Sequence, residues 1–215
     1  MLWIWLQAHA LDLFGLLFHV GLFTGYRALQ RARAARDPGT TLQSQQARIR
    51  TAWVAEVVRS KNGILGVQTL RNALMAVLFF ASNTMFLVLG TLTLIAQGQV
   101  GESWALLDPE GMRPAPLAHA KIILLLFTLL AAFFCFLNAI RLFSHASVSI
   151  GAGSPDTEPV TAQLDTAWRY QGLGVRCYYF GAPVMFWLFG APWLMLASVA
   201  AVALMQLFDR VPARE

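Results

Sequence analysis

Along the chain, apolar positions gather into four long runs separated by polar stretches. The runs are Leu2–Tyr26, Leu70–Ala96, Leu117–Phe143 and a last one from Gly172 to Phe208. Each of the first three is long enough, as a helix, to cross a hydrocarbon core about 30 Å thick. The fourth is too long for one crossing: at 1.5 Å per residue it would reach ~55 Å. Two crossings fit it, with a break near the middle. Gly190-Ala191-Pro192 supplies the break, because proline lacks the N–H donor and pushes the residue before it away from helical geometry. The pattern therefore predicts an all-α polytopic membrane helix bundle with five spans, at about 2–26, 70–96, 117–143, 172–189 and 193–208. The alternative has four spans, with 172–208 as one tilted helix. No linker divides residues 1–215, so a single membrane domain is expected.

The largest polar piece is 27–69. It is basic at first, breaks at Asp37-Pro38-Gly39, and then predicts a cytoplasmic helix at about 43–62. Ile49, Trp53 and Val57 recur there at helical spacing, with Arg48, Arg50 and Arg59 beside them. Such a helix lies on the inner membrane surface, its cations near anionic lipid, or packs against the bundle.

Charge orients the spans. With the N-terminus outside and the C-terminus in the cytoplasm, all but two of the 16 basic residues fall on the inner side, the exceptions being Arg113 and Lys121. The outer loop 97–116 carries Glu102, Asp108 and Glu110 instead. This is the positive-inside pattern. The four-span alternative would place Arg210 and Arg214 outside. The first run lacks the basic leader of a cleaved signal peptide and reads as an uncleaved span.

Composition agrees. Hydrophobic residues make up 57% of the chain and charged residues 13%, where a soluble domain carries about a quarter charged. The net charge of +5 follows from the inner loops, so the partner it implies is the lipid bilayer and no nucleic acid is expected. Cys135 and Cys177 lie in apolar runs and match no zinc spacing.

Against this background each ionisable or amide side chain inside a span is a candidate. Asp12 stands in the first span. His19 is seven residues on, and a seven-residue step falls ~20° short of two full turns, so the two share a face with Gly15, and His9 flanks it. That face is either a polar lining and proton relay or a packing contact. Asn72 and Asn83 share a face of the second span, and Asn138 and Arg141 form an inward-running stripe of the third with Cys135 and His145. Lys121 is expected to pair with Asp108 or Glu110 in the outer loop. In the last run, Arg176, Tyr178 and Tyr179 suit an inner interfacial belt, and Trp187 and Trp193 suit an outer one. Pro183 is expected to kink the fourth span, and Gly190 and Pro192 to make the outer turn. Four histidines can be paired across helices as haem ligands are, but no repeated motif supports the pairing, and no cofactor or metal is expected. Catalytic motifs such as HExxH, a Walker loop, GxSxG or CxxC are missing, so no enzyme activity is expected.

Three stretches resemble one family. They are RNALMAVLFFAS at 71–82, KIILLLFTLLAAFFCFLNAIRLFSHASVSIGAGSP at 121–155 and RCYYFGAPVMFWLFGAPW at 176–193. The most specific part is Arg176, then Tyr178-Tyr179-Phe180, then Trp187, then Pro192-Trp193. Together they resemble a bacterial membrane family known only as domain of unknown function 599. The resemblance covers roughly two thirds of the chain and implies a small multi-span protein. It implies no activity. That family often has Ala where this chain has Cys177, which argues against a catalytic cysteine.

Three function classes remain. A small homo-oligomeric channel or transporter-like protein of the bacterial cytoplasmic (inner) membrane is the leading expectation, because five spans hardly enclose a pore alone. A non-catalytic accessory or scaffold subunit of a larger membrane complex is the second. A haem- or quinone-binding redox protein is the third.

Overall fold

The computed structural model describes residues 2–36, 42–97, 115–153 and 155–208. Among them helix is nearly continuous: α1 Leu2–Arg36, α2 Leu42–Arg59, α3 Gly63–Ala96, α4 Ala115–Gly151, α5 Thr157–Phe186 and α6 Ala191–Phe208. A 3-10 turn, Trp187–Phe189, joins the last two. The stretch 172–208 is thus two helices, not one. The outer loop with Asp108 and Glu110, and the tail with Arg210 and Arg214, lie outside the described residues.

Several helices outrun the apolar runs that announce them. α1 continues to Arg36 through RALQRARAAR, and α4 continues to Gly151. Alanine, arginine and glutamine are strong helix formers, so the backbone has no reason to stop where apolarity does. What stops a helix is local. After α2, the Lys61 N–H reaches the Val58 carbonyl at 3.2 Å and the Asn62 N–H reaches that of Val57 at 3.2 Å. Lys61 itself sits at φ 52. These are the two bonds and the left-handed residue of a Schellman cap, with lysine in the place glycine usually takes. After α4, Gly153 at φ 71 does the same work, donating to the Ile150 carbonyl at 3.1 Å.

Among the described residues two helices are long and apolar enough to cross a membrane, Gly63–Ala96 and Leu117–Gly151. Only 22% and 33% of their most apolar windows is buried, so most of each apolar window is left exposed. Phe79 and Phe86 on α3, and Phe127 and Phe134 on α4, are exposed.

The chain forms two compact units. The first comprises Met1–Arg36, Val88–Leu129 and Tyr178–Glu215. In it α1 packs along α6. Its core joins Phe23 and Tyr26 to Ala201, Val202 and Met205, with Leu22, Tyr179 and Phe180 packed around them. The second unit comprises Asp37–Leu87 and Leu130–Cys177. Its centre is Phe136, wholly buried, which stacks on Phe80 at 5.7 Å. Gly174 of α5 lets that ring lie where a side chain would otherwise be: a Cβ built there would sit 2.5 Å from Phe136 Cε1. At its edge Arg50 pairs with Asp165 at 2.7 Å and lies over Trp168, whose ring meets Phe143 edge-on.

Candidate functional site

The first unit holds the polar chemistry. Asp12, Gly15, His19, Phe23 and Tyr26 are spaced by three or four residues and so form one stripe of α1. Ala191, Leu194, Ser198, Ala201, Val202 and Met205 form the matching buried stripe of α6. The seam is close where small residues meet, as in membrane helix pairs. A Cβ on Gly15 would stand 3.2 Å from that of Ala191.

One end of the seam is built on the break between α5 and α6. α5 runs through the buried Pro183 to Phe186 and ends at the 3-10 turn that follows. Gly190, at φ 126, closes that turn by donating to the Trp187 carbonyl at 3.0 Å and opens α6 by accepting from the Leu194 N–H at 3.2 Å. Pro192 then falls in the first turn of α6, where its missing N–H costs no helical bond. The expected turn at Gly190 and Pro192 is therefore where the chain changes helix.

Helix ends leave carbonyls that favour a cation. Lys121 of α4 supplies it, donating from Nζ to the Trp187 carbonyl at 3.3 Å. An ammonium that is 4% exposed needs a counter-charge, and Asp12 Oδ1 lies 3.0 Å away. The same oxygen accepts the Trp187 indole N–H at 2.6 Å. Nζ is 5.0 Å from the centroid of that indole, within cation–π reach. Trp187 thus meets Lys121 with its carbonyl and ring and Asp12 with its N–H. Its side chain, expected as a belt anchor, is buried because the indole turns inward to this pair; Trp193 is exposed.

Two turns along α1, His19 is wholly buried, with Nδ1 2.8 Å from Ser198 Oγ. Ser198 Oγ is in turn 2.6 Å from the Leu194 carbonyl. A carbonyl only accepts, and the hydroxyl has a single hydrogen, so Ser198 donates to Leu194. Nδ1 of the neutral ring then carries the hydrogen and donates to Ser198. Nε2 keeps a lone pair, which is buried and has no hydrogen-bond partner. Phe180 and Phe23 flank the ring, with centroids at 4.3 and 4.9 Å.

The other candidates stand apart from this cluster. His9 is buried on α1, while His119 and His145 are exposed. Asn72 is exposed and Asn83 half-buried. Asn138 spends its amide on its own helix, donating to the Phe134 carbonyl at 2.9 Å. Arg141 and Arg176 are exposed, and Tyr178 and Tyr179 are half-buried. Among the described residues no three His, Cys, Asp or Glu side chains gather in a metal-holding group. Lys121 meets Asp12; the acids expected for it, Asp108 and Glu110, lie outside the described residues. Ser198 carried no expectation; its one signal is being the only hydroxyl in α6.

A family model described as "Protein of unknown function, DUF599" matches residues 14–213. No curated protein and no solved structure matches the chain.

Proposed function

The chain belongs to the DUF599 family, whose function is unknown, and from that premise we propose that it is a small homo-oligomeric channel or transporter-like protein. It crosses the bacterial inner membrane five times, with its N-terminus outside. α3 and α4 provide two of the spans, and α1, α5 and α6 provide the others. The observation that carries the reading is the Asp12–Lys121 pair, held at a helix break by both ends of Trp187. Charged side chains inside apolar helices are costly, and broken helices near them are where transport proteins place their ions. Two helices with mostly exposed apolar windows support the membrane setting.

Proteoliposomes carrying the purified protein test this. Under an imposed potassium diffusion potential, a potential-sensitive dye should report collapse of the potential with wild type, and a slower collapse with Asp12→Asn. A potential held as in empty vesicles would remove the proposal.

A second reading, a non-catalytic scaffold subunit, is supported by how completely the acid, ammonium and indole satisfy one another. It expects a larger complex with other polypeptides in mild detergent. The channel reading expects a homo-oligomer of one chain, and native mass measurement separates them.

A further inference from the structure

If the proposed transport is granted, the seam between α1 and α6 restricts what is carried. We infer that the ion is the proton and that Nε2 of His19 is the atom that takes it up. Alkali cations are held by several oxygens at once. Among the described residues around Asp12 and His19 the seam offers one carboxylate, whose Oδ1 already receives two donors, and one serine hydroxyl already donating to a carbonyl. A metal cation at Asp12 would have to displace Lys121, which is tethered and 4% exposed. A proton displaces nothing at His19, because a lone pair without a hydrogen-bond partner is waiting there.

Uptake forms one N–H bond at Nε2 from that lone pair and breaks none within the ring. The neutral imidazole becomes imidazolium, with Nδ1–H still on Ser198, and loss of the Nε2 proton restores it. The rings of Phe23 and Phe180, tilted against the imidazole, flank the charged form. A buried polar atom without a partner costs about 1–3 kcal/mol, and protonation turns the acceptor into a donor that still lacks one while the cation loses hydration, so the charged ring is a short-lived carrier state. The groups on the surrounding elements set the balance. α6 has no ionisable side chain from Ala191 to Phe208. α5 brings Tyr179 beside Phe180, and α1 brings His9 and Asp12 on one side and Tyr26 on the other. Lys121 of α4 stands on Asp12, so the nearest acid is already matched by a base.

The test loads proteoliposomes of the full chain with pyranine, a pH dye, and records it beside the potential-sensitive dye. A negative-inside potential is set by potassium and valinomycin. The lumen should acidify with wild type, and His19→Gln should slow acidification ~100-fold, the loss typical of removing a proton-transferring group. Potential collapse without a change in lumenal pH overturns the proton assignment and leaves transport standing. If neither dye responds, both proposals fall. Equal acidification by His19→Gln and wild type overturns the assignment to His19. A measurement on wild type alone guards against misfolding of the variant. Nitrogen-15 histidine spectra should show the neutral His19 protonated at Nδ1, with Nε2 gaining its proton over the pH range in which flux rises. A neutral ring protonated at Nε2 overturns the inference.

Discussion

Asp12 and Lys121 form one ion pair, yet removing either partner should not cost the same. Asp12→Asn leaves the ammonium without its carboxylate, and the Lys121 side chain is 5% exposed. Removing one partner of a buried ion pair costs about 3–5 kcal/mol, and with the Trp187 carbonyl still on the ammonium this variant should fall in that range. Lys121→Met strands the carboxylate instead, but the Asp12 side chain is 22% exposed and still receives the Trp187 indole N–H. Partial hydration and one charge-assisted bond reduce the loss to about 1–3 kcal/mol. Asp12→Asn with Lys121→Met removes both charges and should cost less than Asp12→Asn alone. The coupling energy should then be about 2–3 kcal/mol, the upper part of what contacting residues show. Reversible unfolding in mixed detergent–SDS micelles, followed by circular dichroism at helical wavelengths, yields all three values. If the single costs add to within ~0.5 kcal/mol, the pair is not coupled and the reasoning fails. A larger loss for Lys121→Met than for Asp12→Asn would refute the argument from burial.

The same unfolding assay reads four glycine substitutions. Gly15→Leu must push against Ala191, whose Cβ lies 3.2 Å from where one would be added, and should cost about 1–3 kcal/mol, whereas Gly21→Ala meets nothing within 4 Å and should be neutral or gain up to ~1 kcal/mol. In the second unit Gly174→Ala drives a methyl to 2.5 Å from a Phe136 ring that is wholly buried, and a loss of about 1–3 kcal/mol is expected; an unchanged midpoint would mean that ring moves freely. Gly190→Ala forces a side chain onto φ 126 and should cost about 1–3 kcal/mol, with its near-ultraviolet signal from Trp187 altered as the turn shifts.

Much of this architecture was written in local pattern. Apolar runs located the helices, and excess length together with a Gly-Ala-Pro triplet located the change of helix at Gly190. The seven-residue step from Asp12 to His19 put them on one face, which is the face that meets α6. Partners distant in sequence were not legible. Lys121 lies 109 residues from Asp12 along the chain, and nothing in either neighbourhood specifies the other. Trp187 looked like a belt anchor because an indole suits an interface and a buried hydrogen bond equally well. Asn138 looked like part of a polar stripe with Arg141, but an amide in a helix can also serve the carbonyl one turn back. Helix ends differ from the ends of the apolar runs for another reason: polarity marks where lipid would stop, while caps such as Lys61 and Gly153 mark where the helix stops.

The seam joins α1 to α6, and that order has a consequence for biogenesis. His19 meets Ser198 across 179 residues of sequence. At synthesis rates of roughly 5–20 residues per second, α1 waits on the order of ten to forty seconds for its companion to leave the ribosome. Throughout that interval an aspartate and two histidines sit in a nascent apolar segment with none of α6 or Trp187 to receive them. Chains truncated before the final helix keep that exposure permanently. A mature fold and an aborted one therefore differ in whether an acid inside the first helix has been covered, which is the kind of difference a membrane protease or insertion chaperone can read.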